Sequence, residues 1–282
     1  MHLIPLPPKV LQCGRLQLDL SIPHIMGILN VTPDSFSDGG QYQHKEQAIA
    51  HAVQMIADGA SIIDIGGEST RPQAKAVSVE EELQRVIPVV EALAKYDVVL
   101  SIDTSQPVVI QAAVQAGAHI WNDVRALKRP QALETAAQLD IPVILMHMRG
   151  EPSTMNDLAH YTHVIQDVKA ELLERIDQAE AAGIRHEQII LDVGFGFAKN
   201  TAHNVMLLRD LWQLNELDYP ILAGLSRKRF IGEVLGGVEA QARDIASVTG
   251  HLLAIQQGAS IVRTHHVKAM SDAIKMWQAI QD

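Results

Sequence analysis

Cysteine, aromatic residues and long apolar runs are all scarce in this sequence of 282 residues. The single cysteine, Cys13, excludes an intrachain disulfide and is expected to be a small buried hydrophobe. No stretch approaches the roughly 18 consecutive apolar residues that a membrane span requires. The N-terminus also lacks a charged segment followed by an apolar one, so we expect a cytoplasmic protein with no membrane partner.

An excess of positive charge is lacking as well. The formal net charge is −10 and the pI is about 5.7, so the surface as a whole is not expected to attract nucleic acid or an anionic membrane. Any anionic ligand must therefore be held by a local cluster of cations. Hydrophobic residues make up 47% of the chain and aromatic residues only 4%. This composition and length fit one α/β barrel of roughly 250 residues better than two small domains.

Eight short apolar runs, each followed by a polar or ionisable residue, form the most informative pattern in the chain. Buried parallel strands have such continuous aliphatic runs, and a (β/α)₈ barrel builds its active site at the C-terminal ends of its strands. The runs are Ile25–Leu29 before Asn30, Ser61–Ile63 before Asp64, Val98–Ile102 before Asp103, Ala118–Trp121 before Asn122, Pro142–Met146 before His147, Ile189–Leu191 before Asp192, Ile221–Leu225 before Ser226 and Lys228, and Ile261–Val262 before Arg263 and His265.

Glycines between the helical segments and the apolar runs indicate the same fold. Glycine accepts the left-handed conformation that ends a helix. Such joints contain Gly59, Gly117, Gly183 and Gly258. Ser78 followed by Glu81 has the spacing of a capping box and predicts the start of a helix. Eight repeated units favour a closed parallel barrel over an open doubly wound sheet, and no GxGxxG motif follows the first run.

The whole chain, residues 1–282, is therefore expected to be one TIM-barrel domain. Residues 1–20 have the pattern of a strand pair that could plug the end of the barrel opposite the catalytic face. Residues 31–43 and 67–78 are long loops rich in Pro, Gly, Ser and Asp, and both follow strand ends. Long polar loops on a catalytic face usually act as lids or clamps, so we expect both to be mobile without ligands.

Carboxylates and amides at the predicted strand ends indicate a site for a planar nitrogen heterocycle. Asp64, Asp103, Asn122 and Asp192 are expected to point into one mouth of the barrel. Such groups can pair with the N–H and amino edge of a heterocyclic ring. The alternative is that each residue only caps the helix that follows.

Cations and hard oxygen ligands near the other strand ends indicate an anion site. Lys228 suits an anion or an electron-rich ligand, although a solvated basic turn or a Schiff-base lysine would have the same sequence. Arg263 and His265 lie two residues apart on one strand and can contact one anion at the usual phosphate corner of these barrels. Asn30 and Asp34 offer oxygen ligands suited to Mg²⁺ beside a diphosphate.

Seven sequence motifs together resemble the dihydropteroate synthase family closely. They occur in family order and extend over essentially the whole chain, and the first two are long and highly specific. The motifs are MGILNVTPDSFSDGG at 26–40, DIGGESTRP at 64–72, SIDT at 101–104, IWND at 120–123, GFGF at 194–197, SRK at 226–228 and RTH at 263–265.

The resemblance implies a transferase of folate biosynthesis that joins 4-aminobenzoate to 6-hydroxymethyl-7,8-dihydropterin diphosphate, with Mg²⁺ assisting departure of diphosphate through a cation-like transition state. It implies pterin binding by Asp103, Asn122, Asp192 and Lys228, Mg²⁺ binding by Asn30, and diphosphate binding by Asn30, Thr70, Arg263 and His265. It further implies that Arg71, Pro72, Phe197, Lys228 and Arg229 form the aminobenzoate site, and that Asp34 joins Asp103, Asp192, Lys228, Arg263 and His265 in catalysis.

Two positions depart from the family pattern: Val193 stands where proline is usual, and His266 stands where aspartate is usual. The first could loosen the loop after the sixth run, and the second could change the charge around the diphosphate. The resemblance also implies inhibition by sulfonamides, which mimic 4-aminobenzoate, and a homodimer formed by apolar helices after residue 200. A pterin-binding methyltransferase-type barrel and a non-catalytic pterin carrier are the alternative functions.

Overall fold

The computed structural model describes residues 9–32, 41–68 and 77–281, and its strands form a hairpin and a closed barrel. The hairpin pairs β1 (Val10–Cys13) with β2 (Leu16–Asp19). The parallel barrel strands are β3 (His24–Asn30), β4 (Ile62–Gly66), β5 (Val99–Asp103), β6 (Ile120–Asp123), β7 (Val143–Met146), β8 (Ile189–Asp192), β9 (Ile221–Ala223) and β10 (Ile261–Thr264). Strand β10 pairs with both β9 and β3, which closes the barrel and confirms the predicted (β/α)₈ fold.

Helices connect the strands and cover the outside of the barrel. They are α1 (Gln41–Ala57), α2 (Val79–Leu93), α3 (Pro107–Gln115), α4 (Ala132–Leu139), α5 (Val164–Ala181), α6 (Thr201–Arg209), α7 (Arg229–Val234), α8 (Asp244–Gln256) and α9 (Val267–Gln281). Short 3₁₀ segments lie at Met155–Leu158, His186–Gln188, Leu211–Leu217 and Ala240–Arg243. Within the described ranges, no helix combines the length and the apolar character needed to cross a bilayer.

The predicted helix ends are confirmed in detail. The four joint glycines all have positive φ, from 99° at Gly183 to 113° at Gly117. At Gly117 a side chain would also meet the Cβ of Ala94 at 2.8 Å, so both conformation and space favour glycine there. The Oγ of Ser78 accepts a hydrogen bond from the backbone N–H of Glu81 at 3.2 Å, and helix α2 begins at the next residue.

The N-terminal hairpin plugs the end of the barrel where the strands begin, as predicted. Its side chains pack on the aliphatic residues that fill the interior near that end. This cluster contains Leu11, Cys13, Leu18, Leu20, Met26, Ile62, Val99, Ile120, Ile144, Ile190, Leu222 and Ile261. Burial raises the pKa of the Cys13 thiol to about 12, so this cysteine is a packed hydrophobe and not a nucleophile.

Several predicted runs and observed strands differ at their ends, β6 and β10 among them, and hydrogen bonds explain the differences in β4 and β9. Strand β4 continues two residues past Asp64, because protein donors satisfy that carboxylate inside the sheet. Strand β9 ends at Ala223 and not at Leu225, because the backbone N–H of Leu225 donates to Nε2 of His251 and not to a neighbouring strand. The segment after β9 is thereby turned into the mouth of the barrel.

The two predicted long loops consist mostly of residues 33–40 and 69–76, which lie outside the described residues. The expectation that these loops are mobile therefore stays a prediction. Their borders are described. Helix α1 begins at Gln41, so the first loop ends earlier than the predicted residue 43. The second loop ends at Ser78, as predicted.

Candidate functional site

The buried carboxylate of Asp64 holds several side chains of the barrel mouth in place through hydrogen bonds. It points into the interior from the middle of β4 and is completely buried. Its Oδ1 accepts a hydrogen bond from Ser101 Oγ at 2.6 Å. Its Oδ2 accepts from Asn122 Nδ2 at 3.0 Å and from Arg263 Nε at 2.6 Å. Because three protein donors satisfy Asp64, it supports the ligand-facing groups above it and is not one of them.

Arg263 and Asp103 form the next layer of the site. Arg263 Nη2 donates to Asp103 Oδ2 at 2.8 Å, in addition to its contact with Asp64. Burial raises the pKa of Asp103 to about 7, although the positive charge of Arg263 opposes this shift. The guanidinium therefore faces the predicted pterin carboxylates. Its described hydrogen bonds use Nε and Nη2.

Asp192 closes another side of the mouth at the end of β8. Its Oδ1 accepts a hydrogen bond from the backbone N–H of Gly194 at 2.8 Å. The side chain is 7% exposed, and burial raises its pKa. The structure therefore brings Asp103, Asn122, Asp192 and Arg263 together, as the sequence predicted for the first three.

Lys228 and Phe197 face each other across the mouth. Lys228 Nζ lies 4.2 Å from the centroid of the Phe197 ring, a cation–π distance. Burial, followed by the charge of Arg263, lowers the pKa of Lys228 to about 8, and Asp192 and Asp103 act in the opposite direction. Its aliphatic stem passes Gly196, where a Cβ would meet Lys228 Cδ at 3.1 Å. This arrangement presents a cation over an aromatic wall.

His265 is held at the phosphate corner by Ser226. Its Nδ1 lies 2.9 Å from Ser226 Oγ, and its backbone N–H donates to the same oxygen at 3.1 Å. His265 and Arg263 both lie at the end of β10, but they have different partners: Arg263 contacts carboxylates and His265 a hydroxyl. Whether they contact one anion together stays a prediction.

Asn30 is the predicted Mg²⁺ ligand that the structure describes. It ends β3, is partly exposed, and lies in register with Gly66 of β4. A single carboxamide oxygen at the mouth fits the way Mg²⁺ binds beside phosphates, with few protein ligands and several waters. Among the described residues no group of three or more His, Cys, Asp or Glu could hold a metal ion.

Other predicted site residues are either placed elsewhere or not described. Asp34, Thr70, Arg71 and Pro72 lie outside the described residues. The Arg229 side chain is 69% exposed on α7, where its Nε lies 3.3 Å from Glu233 Oε1, so it faces solvent and a neighbouring carboxylate.

The two departures from the family pattern have separate environments. Val193 is fully buried in the main core, and so it packs as an apolar residue beneath the loop that follows β8. The side chain of His266 is 53% exposed, and its Nδ1 lies 3.8 Å from Asp244 Oδ2. Asp244 is 22% exposed and also pairs with Arg227, so His266 lies beside an ion pair outside the mouth.

The sequence reasoning missed two buried groups near the mouth, Lys199 and Glu82. Lys199 is 4% exposed and stands directly before Asn200, the N-cap of α6. A cation near a helix N-terminus is unfavourable because it opposes the helix dipole. The position of Lys199 directly before the N-cap was therefore the feature of the sequence that could have indicated a special role. Glu82 is 2% exposed and lies on α2 against Gly67, where a Cβ would meet its Cγ at 2.9 Å.

Glu82 leads to a prediction about stability and pH. Burial raises its pKa to about 7, and its Oε1 has no hydrogen-bond partner among the described residues. As the pH rises from about 4.5 to about 7, the unfolded chain ionises this carboxyl while the folded chain keeps the proton, so stability falls. Glu82→Gln removes that loss. We expect the free energy of unfolding of the variant to rise, relative to that of the wild type, by about 1 to 3 kcal/mol as the pH increases from 5 to 8.

Urea unfolding at the two pH values measures this difference. Glu80→Gln, a substitution at an exposed position on the same helix, is the control and should change stability by less than about 0.5 kcal/mol. A stability difference between Glu82→Gln and wild type that is the same at both pH values would contradict the assignment of a protonated Glu82.

Comparisons with known proteins agree with this geometry. The model of the family described as pterin binding enzymes matches residues 26–265. The dihydropteroate synthase of Haemophilus influenzae is 51% identical over 263 residues, which is 93% of this chain and 95% of that protein.

Two solved structures are similar over nearly the whole length. Xanthomonas albilineans dihydropteroate synthase with 4-aminobenzoic acid has a TM-score of 0.92 and 51% identity, covering 98% of this chain and 99% of that one. Yersinia pestis dihydropteroate synthase in a sulfonamide drug complex has a TM-score of 0.92 and 48% identity, covering 97% and 99%.

Proposed function

The chain belongs to the dihydropteroate synthase family of pterin binding enzymes, and we propose that it joins 4-aminobenzoate to 6-hydroxymethyl-7,8-dihydropterin diphosphate, releasing diphosphate and 7,8-dihydropteroate. The observation that carries the proposal is one barrel mouth in which Asp103, Asn122, Asp192, Lys228 and Arg263 converge. Anionic and amide acceptors beside two cations suit a polar heterocycle that carries a diphosphate.

The pterin ring would bind between the ends of β5, β6 and β8. Asn122 donates one of its two Nδ2 hydrogens to Asp64, which fixes the orientation of the amide, and its Oδ1 would accept from a ligand N–H. Asp192 uses Oδ1 for Gly194, which leaves Oδ2 as its acceptor for the ring. Buried acceptors that are oriented by other protein groups give the strongest discrimination among heterocycles, because a wrong ligand leaves them unsatisfied.

Bond breaking at the methylene of the pterin would leave positive charge on the ring and negative charge on the diphosphate. Asp103 and Asp192, at the ends of β5 and β8, would offset the charge on the ring, while Arg263 and His265, at the end of β10, would stabilise the departing anion. Asn30 would hold Mg²⁺, together with Asp34. When bound, the ion would neutralise part of the charge on the leaving group.

The aryl amine would approach along Phe197 and Lys228. The aromatic ring of Phe197 offers a flat apolar wall, and Lys228 places a cation 4.2 Å from its centroid. An arylamine attacking a cation-like carbon needs mainly to be held in position. Arg71 and Pro72 would complete the aminobenzoate site, as the sequence predicts. The inhibitor class implied by this site is the sulfonamides.

Formation of dihydropteroate, followed by mass spectrometry, tests the function. The protein, Mg²⁺, the pterin diphosphate and 4-aminobenzoate should give 7,8-dihydropteroate, and a sulfonamide should compete with 4-aminobenzoate. Removal of Mg²⁺ with a chelator should slow the reaction. Pterin binding without product, under conditions in which the protein is folded, would favour a carrier and overturn the proposal.

An apolar groove between α6, α7 and α8 supports the predicted homodimer. The groove has a volume of about 470 Å³, and its lining includes Val205, Leu208, Val234, Leu235, Ile245 and Leu253. Ile245 is 85% exposed and Val234 is 62% exposed. Such a patch on a chain of this size suits a second copy, which would present the same apolar helices in return. We also propose that the enzyme works in the cytoplasm, where its free, buried cysteine stays reduced.

Ile245→Asp is expected to convert a dimer into a monomer. A charge at the centre of an apolar interface is desolvated without a partner, which weakens association by several kcal/mol. Light scattering coupled to size-exclusion chromatography measures the mass directly. Val108→Asp, at a 54% exposed position on α3, is the matched control and should leave the dimer intact. A wild-type protein of monomer mass at micromolar concentration would contradict the proposed homodimer.

A further inference from the structure

Behind the mouth lies a buried lysine that the proposed reaction does not use. Lys199 Nζ contacts Nδ1 of His147 at 2.9 Å, the carbonyl oxygen of Gly194 at 3.1 Å and the carbonyl oxygen of Phe197 at 2.9 Å. An ammonium group has three hydrogens to donate, which match these three contacts, and the carbonyl oxygen of His147 lies farther away at 3.5 Å. Burial lowers the pKa of Lys199 to about 7, and the charges of Asp192 and Glu171 act in the opposite direction. Lys199 is 4% exposed, so this is an internal tie and not a surface contact.

The hydrogen bonds define the protonation of His147. Glu171 has its pKa lowered to about 2, so it is an ionised carboxylate that can only accept, and Nε2 of His147 must carry a hydrogen. In a neutral ring Nδ1 is then the acceptor, and Lys199 donates to it. The hydrogen on Nε2 points to Glu171 Oε2, which lies 3.1 Å away, and Glu171 also pairs with Arg149. Burial, followed by the charge of Lys199, lowers the pKa of His147 to about 4, in agreement with a neutral ring. The ion pair of Glu171 with Arg149 thereby orients the imidazole that orients Lys199.

The segment that Lys199 ties down is a strained turn that carries site residues. Gly194, Gly196 and Ala198 all have positive φ, at 65°, 79° and 49°. Alanine is a costly residue in this conformation, so contacts elsewhere must hold the turn. At Gly194 a Cβ would clash with the carbonyl oxygen of His147, the residue that follows β7, so the turn packs directly against the backbone there.

The turn also connects three groups of the mouth. Its first N–H, at Gly194, donates to Asp192, and its Phe197 ring lies against Lys228. A shift of this turn would therefore move the aromatic wall and leave the Lys228 ammonium without its partner. Asp103 and Asn122 lie on other strands, so the turn does not hold them.

We propose that Lys199 is a positioning residue of the aminobenzoate site: its ammonium, oriented by His147 and Glu171, ties the carbonyl groups of Gly194 and Phe197 and so holds Phe197 against Lys228. The hydrogen-bond partners of Lys199 are His147, Gly194 and Phe197, so it acts through the turn and not on a substrate. The expected effect on kinetics rests on the proposed function. The effect on the structure of the turn can be measured by hydrogen exchange without any reaction.

Lys199→Met tests the proposal in two ways. Methionine keeps the apolar stem and loses the donors, so the carbonyl groups of Gly194 and Phe197 lose their contact with position 199. Backbone amides of the peptide covering 194–198 should exchange hydrogen for deuterium at least about tenfold faster than in the wild type. The KM for 4-aminobenzoate should rise at least about tenfold, which corresponds to about 1.4 kcal/mol. We expect a smaller change, below about threefold, in kcat and in the Kd for the pterin, because Asp103 and Asn122 lie on other strands and stay in place although Asp192 contacts the turn.

The controls separate positioning from general damage. Lys268→Met makes the same substitution at an exposed lysine on α9 and should change neither measurement. A purely structural defect would lower the fraction of active enzyme, and so kcat, with an unchanged KM. If Lys199→Met does not fold, Glu171→Gln takes its place. It should speed exchange in the same peptide and raise the same KM, each about threefold.

Unchanged exchange in the turn of the folded Lys199→Met protein, or of its replacement Glu171→Gln, would overturn the positioning role whatever the activity. An active wild type with an unchanged KM in the variant would overturn it as well. If the wild type is inactive but Lys199→Met still speeds hydrogen exchange in the turn, only the proposed function is refuted. The contacts of Lys199 with the turn would then be shown without any reaction.

Discussion

Lys228→Met is expected to lower kcat/KM by about 10² to 10³ while leaving the free energy of unfolding nearly unchanged. The ammonium lies in the mouth, 4.2 Å from the Phe197 centroid, and has no hydrogen-bond acceptor among the residues that the structure describes. Its charge is therefore available to a ligand and contributes little to folding. Loss of one oriented charged donor in a desolvated site costs about 2.7 to 4 kcal/mol of transition-state stabilisation.

Steady-state kinetics with both substrates, together with thermal unfolding, check this prediction. Burial and Arg263 already make the charged form of Lys228 less favourable, lowering its pKa to about 8. Its removal should therefore leave the melting temperature the same or slightly raised. Lys268→Met again serves as the surface control. If the variant keeps more than half of the wild-type kcat/KM, the assignment of Lys228 to the active site is wrong.

Asp64→Ala is expected to destabilise the protein by about 3 to 5 kcal/mol and to abolish measurable activity. Asp64 is fully buried and is contacted by Ser101, Asn122 and Arg263. Truncation leaves the Arg263 guanidinium with Asp103 as its remaining carboxylate partner, and it leaves two polar side chains without an acceptor. Removal of one partner from a buried ion pair has a cost of this size, because the other charge stays buried.

Two further substitutions show which property of Asp64 matters. Asp64→Asn keeps the volume and one acceptor oxygen but removes the charge, so we expect about half of the loss of stability. Asp272→Ala breaks an exposed ion pair with Lys268 and should cost less than about 1 kcal/mol. Urea unfolding measures all three. A loss of less than about 1 kcal/mol in Asp64→Ala would contradict the view that this carboxylate supports the mouth.

The barrel could be predicted because its strands and helix ends follow local rules. Buried parallel strands require aliphatic runs, and the glycines that end the helices require positive φ, so composition and spacing carry both signals. The same rules placed Asp103 and Asp192 at strand ends, where the structure has them. The strand pair at the N-terminus was predictable for the same reason, because its alternating apolar residues need a surface to cover.

The support beneath the site could not be predicted in this way, because it depends on contacts between distant segments. Asp64 reads as one more strand-end carboxylate, and its role becomes visible only when Arg263, 199 residues later, donates to it. Lys199 and His147 are 52 residues apart, and no periodicity or spacing links them. Arg229 illustrates the opposite case, since a basic motif at a strand end includes a side chain that faces solvent.

The most direct test of the account is the release of diphosphate by the wild-type protein with Mg²⁺ and the pterin diphosphate, measured with and without 4-aminobenzoate. We expect release that depends on the amine, with one diphosphate for each dihydropteroate formed. Release at the same rate without the amine, or binding of the pterin diphosphate with no release when the amine is added, would contradict it.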